Sequence, residues 1–168
     1  MSSRRAWLAG LLLAGAARSL AAQEAEAGIP LGATPPRVTI EDLNGSAVAL
    51  GQVTGTGPAL VEFWATWCTQ CRALEPRLRA AYTRYHDQVK FVAVAVAVNE
   101  SPASVRRHLA AHPAPFPFLW DTNGNATRAF QAPTTSFVVV LDRSGKVAYT
   151  GVGADQDLEG ALARAVRP

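Results

Sequence analysis

Cys68 and Cys71 are the only cysteines in the chain, and they stand three positions apart. The run Ala59-Leu-Val-Glu-Phe-Trp-Ala65 before them is apolar with one acid in its middle, which predicts a strand. A sharp turn then leads into a helix whose first turn holds both cysteines. A thiol at a helix N-terminus meets unsatisfied backbone N–H groups and the positive end of the helix dipole, and both favour the thiolate. Cys68 is therefore the candidate nucleophile. Cys71 lies about one helical turn further on, close enough to close a disulfide without backbone movement, and is the candidate resolving thiol. Glu62, if buried on a central strand, is a carboxylate with a raised pKa that can exchange a proton with Cys71. Trp67 precedes the pair and is expected to be partly exposed beside the nucleophile, with Trp64 packed. Pro76 falls inside the helical pattern, where its ring and missing N–H favour a kink.

Duller roles are available to each of these residues. Two cysteines can be a structural staple, although a bridge closing four residues removes little chain entropy and is a weak stabiliser. They can also be half of a metal site. His108 and His112, four apart on a predicted helix, are the only complement, but they lie much further from Cys71 than zinc-finger spacing allows, so no metal is expected. His86 has no evident partner. Glu62 could be a salt-bridged acid, and Pro133 an ordinary loop proline.

Phe63-Trp64-Ala65-Thr66-Trp67-Cys68, with Cys71 and then Pro76 five residues later, resembles the thioredoxin superfamily, in particular its exported TlpA/ResA-like branch. The resemblance runs from about Pro36 to the C-terminus. It implies an α/β thioredoxin-like fold: a central mixed β-sheet flanked by helices on both faces, with an N-terminal β-hairpin extension. It also implies thiol–disulfide exchange with no cofactor beyond the Cys68–Cys71 pair. Ala132-Pro133-Thr134 stands where the family places a cis-proline facing the dithiol, so these three residues are the implied substrate-binding segment. There the backbone of Ala132 would pair with an extended substrate. ResA-like proteins usually carry Asn at the position of Glu62 and a Glu three residues after the second cysteine, where this chain has Leu74. The proton-handling carboxylate is thus expected to have moved from helix to strand, with Glu75 pointing elsewhere.

The implied partners are protein thiols and disulfides, such as that of an apocytochrome c, with a membrane thiol relay as electron donor and a monomeric enzyme. The Thr69-Gln70 dipeptide leaves open an oxidising direction. A thiol peroxidase and a non-enzymatic chaperone or copper-handling module are the other classes; the only methionine is Met1, so no methionine-rich tract supports the last.

The remaining chain must position this dithiol. Its 168 residues, 49% hydrophobic and 17% charged, suit one globular domain. The formal charge of +3 comes from Arg4, Arg5 and Arg18, so without the first 21 residues the chain is balanced and a nucleic-acid partner is not expected. Residues 1–21 have a basic start, an apolar stretch from Ala6 to Ala17 and a small-residue end, the layout of a secretory signal peptide. A twin-arginine signal or an uncleaved anchor are the variants, and the implied location is the periplasm or cell envelope. Residues 22–36 read as a flexible linker, and 37–168 as the thioredoxin-like domain. Val38–Ile40 and Ala47–Leu50 flank Asn44-Gly45 as a hairpin. Gly51–Pro58 reads as a glycine-rich connection, Val89–Val98 as a strand buried on both faces, and Ser101-Pro102 as a helix start. Phe137–Leu141 and Val147–Tyr149 read as a hairpin around Asp142–Gly145, and Leu158–Val166 as a closing helix.

Overall fold

The computed structural model describes residues 27–167. The signal-peptide reading and the first part of the linker, 22–26, lie outside the described residues. Seven strands form one mixed sheet: β1 (Thr39–Asp42), β2 (Ala47–Ala49), β3 (Ala59–Trp64), β4 (Lys90–Val96), β5 (Phe118–Asp121), β6 (Phe137–Leu141) and β7 (Val147–Val152), in the spatial order β2-β1-β5-β4-β3-β6-β7. β3 is central, parallel to β4 and antiparallel to β6. Every residue of β3 and β6 is buried, as strands covered on both faces require, Glu62 of β3 included.

Because side chains alternate along a strand, β3 divides its residues between two layers. Val61 and Phe63 point into a cluster with Ile29, Val139, Phe130 and Phe137. On that face lie the short helices α1 (Leu50–Thr54) and α4 (Asn125–Ala129). Leu60 and Trp64 belong to the clusters on the other face. That face carries α2 (Thr69–Tyr85), α3 (Pro102–Ala111) and α5 (Leu158–Ala165). Leu74, Leu78, Ala81 and Tyr85 of α2 pack there against Ala161 and Leu162 of α5. α2 runs through Pro76, which leaves the Arg72 carbonyl without its helical donor. α3 starts with a capping box between Ser101 and Ser104 and has Pro102 in its first turn.

Two expectations change. Gly51–Pro58 is not all connection, since Leu50–Thr54 makes a helical turn whose Leu50 is buried. Nor is the second half of the linker free. Ile29 N–H donates to the Phe130 carbonyl at 3.0 Å, Gly32 N–H to Val147 at 2.7 Å, and Val147 N–H to Ala33 at 2.9 Å. Ile29 is 4% exposed within the core. Gly28 has φ +92°, and a Cβ there would fall 2.1 Å from Phe137 Cζ, so only glycine lets the chain pass over that ring. Composition without period looked like a tether, but one buried Ile and three backbone hydrogen bonds are enough to dock it.

Ile29→Ala should lower unfolding free energy by about 2–4 kcal/mol, the usual cost of emptying a core site. Urea denaturation checks this; an unchanged midpoint would return residues 28–33 to the status of a tether.

Candidate active site

The chain leaves β3 at Trp64, crosses Ala65-Thr66-Trp67 and enters α2 at Cys68, its N-cap residue. Cys68 and Cys71 are joined, with Sγ atoms 2.08 Å apart and Cα atoms 5.3 Å apart. Cys71 N–H donates to Cys68 Sγ at 3.0 Å. In the reduced protein the same donor would face a Cys68 thiolate, as the helix-terminus argument requires. Cys68 keeps 4% of its surface and Cys71 1%, so the nucleophile position is the more reachable but both sulfurs are well covered. Trp67 is 46% exposed and Trp64 6%, as expected.

The loop ahead of the dithiol is fastened to the β4–α3 connection. Thr66 N–H donates to Glu100 Oε2 at 2.7 Å, and Trp67 Nε1–H to the Val98 carbonyl at 2.8 Å. Burial opposes charge on Glu100, but hydrogen bonds from Ser104, Thr66 and Ser101 outweigh it and hold the carboxyl below its ordinary value. Nothing in the sequence near the cysteines points to Glu100, because its partner lies 34 residues away.

Glu62 shares the α2-facing side of β3 with Leu60 and Trp64. It is 2% exposed and its Oε1 has no hydrogen-bond partner. Burial, then the nearby charge of Glu75, pushes its pKa up to about 8. Glu62 and Cys71 line one small cavity of about 20 Å³, room for a single water. The same cavity is lined by Glu75, His108 and His112. Glu75 therefore does not point away from the site. Arg79 Nε and Nη2 donate to Glu75 Oε1 at 2.9 and 2.6 Å, which draws its carboxylate along α2 toward the cavity mouth. His108 packs on Trp64 with ring centres 5.1 Å apart, and His112 lies 4.8 Å beyond it. Burial, then the charge of His112, lowers the His108 pKa. Among the described residues no three His, Cys, Asp or Glu are grouped to hold a metal ion.

The substrate segment needs correction. Among the described residues there is no cis peptide bond, so Ala132–Pro133 is trans. Ala132 N–H donates to the Thr127 carbonyl at 2.9 Å, finishing α4, so that donor is unavailable to a substrate strand. Pro133 is exposed and stands ahead of the strand. The residue that carries β6 up to the end of β3 is Ser136: fully buried, at φ +62°, its N–H donating to the Phe63 carbonyl at 2.7 Å. Its carbonyl accepts from Gly153 N–H at 3.1 Å and Gln156 Nε2 at 2.9 Å. Ala154 N–H in the same β7–α5 loop donates to Gln70 Oε1 at 3.1 Å, tying the residue between the cysteines to that loop. The buried run Phe137–Leu141 already placed a strand start at Phe137, four residues after Pro133, with Ser136 immediately before it.

Residues 30–165 match the Redoxin family model. The chain belongs to the redoxin family. It is 30% identical over 155 residues to the thioredoxin-like protein YneN of Bacillus subtilis, covering 88% of this chain and 89% of that one. It is 28% identical over 122 residues to the thiol-disulfide oxidoreductase ResA of the same organism, covering 73% and 67%. The crystal structure assigned to a thiol:disulfide interchange protein DsbE from Chlorobium tepidum superposes with a TM-score of 0.73 at 25% identity, over 83% of this chain and 99% of that one. The redoxin therefore has the thioredoxin-like architecture read from its sequence.

An acid whose folded pKa is raised stabilises the fold fully below its unfolded value, here 4.5, and loses that contribution as pH climbs through about 8. Glu62→Gln cannot ionise and should escape the loss. Urea midpoints of the two oxidised proteins should run close at pH 4, then separate in favour of the variant by up to roughly 3–5 kcal/mol at pH 8; parallel profiles would show that Glu62 is not held neutral.

Proposed function

We propose that this redoxin is an exported enzyme that reduces protein disulfides in the cell envelope. The class of thiol–disulfide oxidoreductase follows from family, fold and the closed dithiol together. The observation that carries the mechanism is a buried carboxyl without a partner, Glu62, lining the same cavity as Cys71.

In the reduced enzyme, Cys68 thiolate attacks one sulfur of a substrate disulfide. A bond forms between Cys68 Sγ and that sulfur, and the other substrate sulfur leaves as a thiolate that takes up a proton. Cys71 then passes its proton to ionised Glu62 and attacks Cys68 Sγ, expelling the second substrate thiolate. Two electrons have moved to the substrate, and the enzyme is left as the disulfide seen here. When a donor dithiol reverses the exchange at Cys68, Cys71 is the leaving thiolate and neutral Glu62 returns the proton. A carboxyl near pKa 8 can act as acid or base around neutral pH with modest driving force either way.

An extended substrate segment is best placed against Thr134 and Thr135, whose backbone groups make no hydrogen bond among the described residues. They stand in the bend just ahead of Ser136 and the start of β6, where an extended substrate would pair with their free backbone groups, with Trp67 and Val98 as the exposed apolar neighbours of the dithiol. Export rests on the sequence of residues 1–21. The family resemblance supports an apocytochrome c disulfide as substrate and a membrane thiol relay as donor.

Cys71→Ala, expressed in the native envelope, should accumulate disulfide-linked partners, whereas Cys68→Ala should capture none and lose insulin reduction by at least a hundredfold. Equal insulin reduction by Cys68→Ala would rule out the assigned nucleophile. A dithiol potential near −120 mV rather than toward −270 mV would reverse the direction, making the protein an oxidant.

A further inference from the structure

The cavity behind Cys71 carries more charge than one proton-handling acid requires. Besides Glu62 from β3 and Cys71 from α2, it is lined by Glu75 and Arg79 from α2 and by His108 and His112 from α3. The segment leading into β5 contributes only Ala114, Phe116 and Phe118, which carry no charge. Outside the lining, Arg72 and Glu100 are near enough to act on His108. Glu75 and Glu62 thus share one small, largely apolar space, and in such a space like charges cannot both be held cheaply. Arg79 grips Glu75 through two nitrogens while its Nη2 also donates to the Pro113 carbonyl at 2.7 Å, which holds the ion pair at the cavity edge. The pair is only about 40% exposed on either side, so solvent screens it incompletely.

We propose that the Glu75–Arg79 ion pair is a tuning device for the dithiol: Glu75, from the opposite wall, keeps the proton on Glu62, and Arg79 limits how strongly it does so. Glu75 and Arg79 are positioning residues acting through Glu62, and the functional consequence rests on Glu62 exchanging its proton with Cys71. The direction of the Glu62 shift, with Glu75 as its second cause, agrees. His108 is already neutral where Glu62 titrates, because its own pKa is lowered. It therefore serves as an internal control within the same cavity.

The experiment uses the oxidised full domain, in which neither thiol titrates, and follows the Glu62 carboxyl by carbon-13 NMR, with Glu62→Gln identifying the signal. Glu75→Gln should lower the Glu62 midpoint by roughly one pH unit, and Arg79→Gln should raise it by releasing the Glu75 charge. His108→Gln should leave it in place. Opposite shifts support the proposal; shifts of the same sign, or none, overturn it. Because loss of the ion pair could loosen α2, Glu75→Asp serves as a second variant that retains the charge, and its midpoint should stay nearer the wild type than that of Glu75→Gln. A separate readout, the pH profile for resolution of a Cys68–glutathione mixed disulfide by Cys71, tests the role of Glu62 itself. If that profile is the same in Glu62→Gln, the assignment of Glu62 as proton partner fails, while the NMR midpoints still decide whether the ion pair tunes it.

Discussion

An ionisable side chain in the middle of a fully buried strand is the constraint around which this molecule is arranged. β3 carries five apolar residues and one glutamate, and all six are buried. A charged carboxylate without partners is costly in such a place, so the group stays neutral over most of the physiological range. The proposed role in proton exchange gives that cost a use, since Cys71 lines the same cavity. A stable domain would be simpler with Gln, Val or Leu at position 62.

The remaining structure keeps this pairing in register. Alternation along β3 sends Glu62 to the same side as Trp64, and α2 begins just beyond the strand, so the helix head and the acid meet on one face of the sheet. Glu100 and the Val98 carbonyl hold the intervening loop by backbone and indole hydrogen bonds, which fixes the direction in which α2 departs. On the far side, Ser136 closes the end of β3 and Gln156 secures it, while Gln70 ties the dithiol turn to the same loop. The site is thus bounded by contacts from four separate parts of the chain.

The outer layer shows the same economy. The segment over Phe137 needs glycine at position 28 to pass, and Ile29 then completes the cluster beneath β3 and β6. It shields the side of the sheet opposite the dithiol, where among the described residues only the short helices α1 and α4 lie.

Much of this was legible from residue order because it depends on local chemistry. Periodicity marked β3, β4, β6 and α2, Ser101-Pro102 marked the start of α3, and two cysteines at a helix head announced thiol chemistry with Glu62 beside them. The misplaced features depended on how elements meet. Glu75 belongs to the cavity because α3 and β5 close over α2. Ala132 is occupied because α4 ends against it, and Ile29 is core because Phe130 and Val147 offer it a place. Spacing along a chain determines which side chains share a face; only the packing of elements far apart in sequence decides which of those faces enclose the same space, and with it which charges must feel one another.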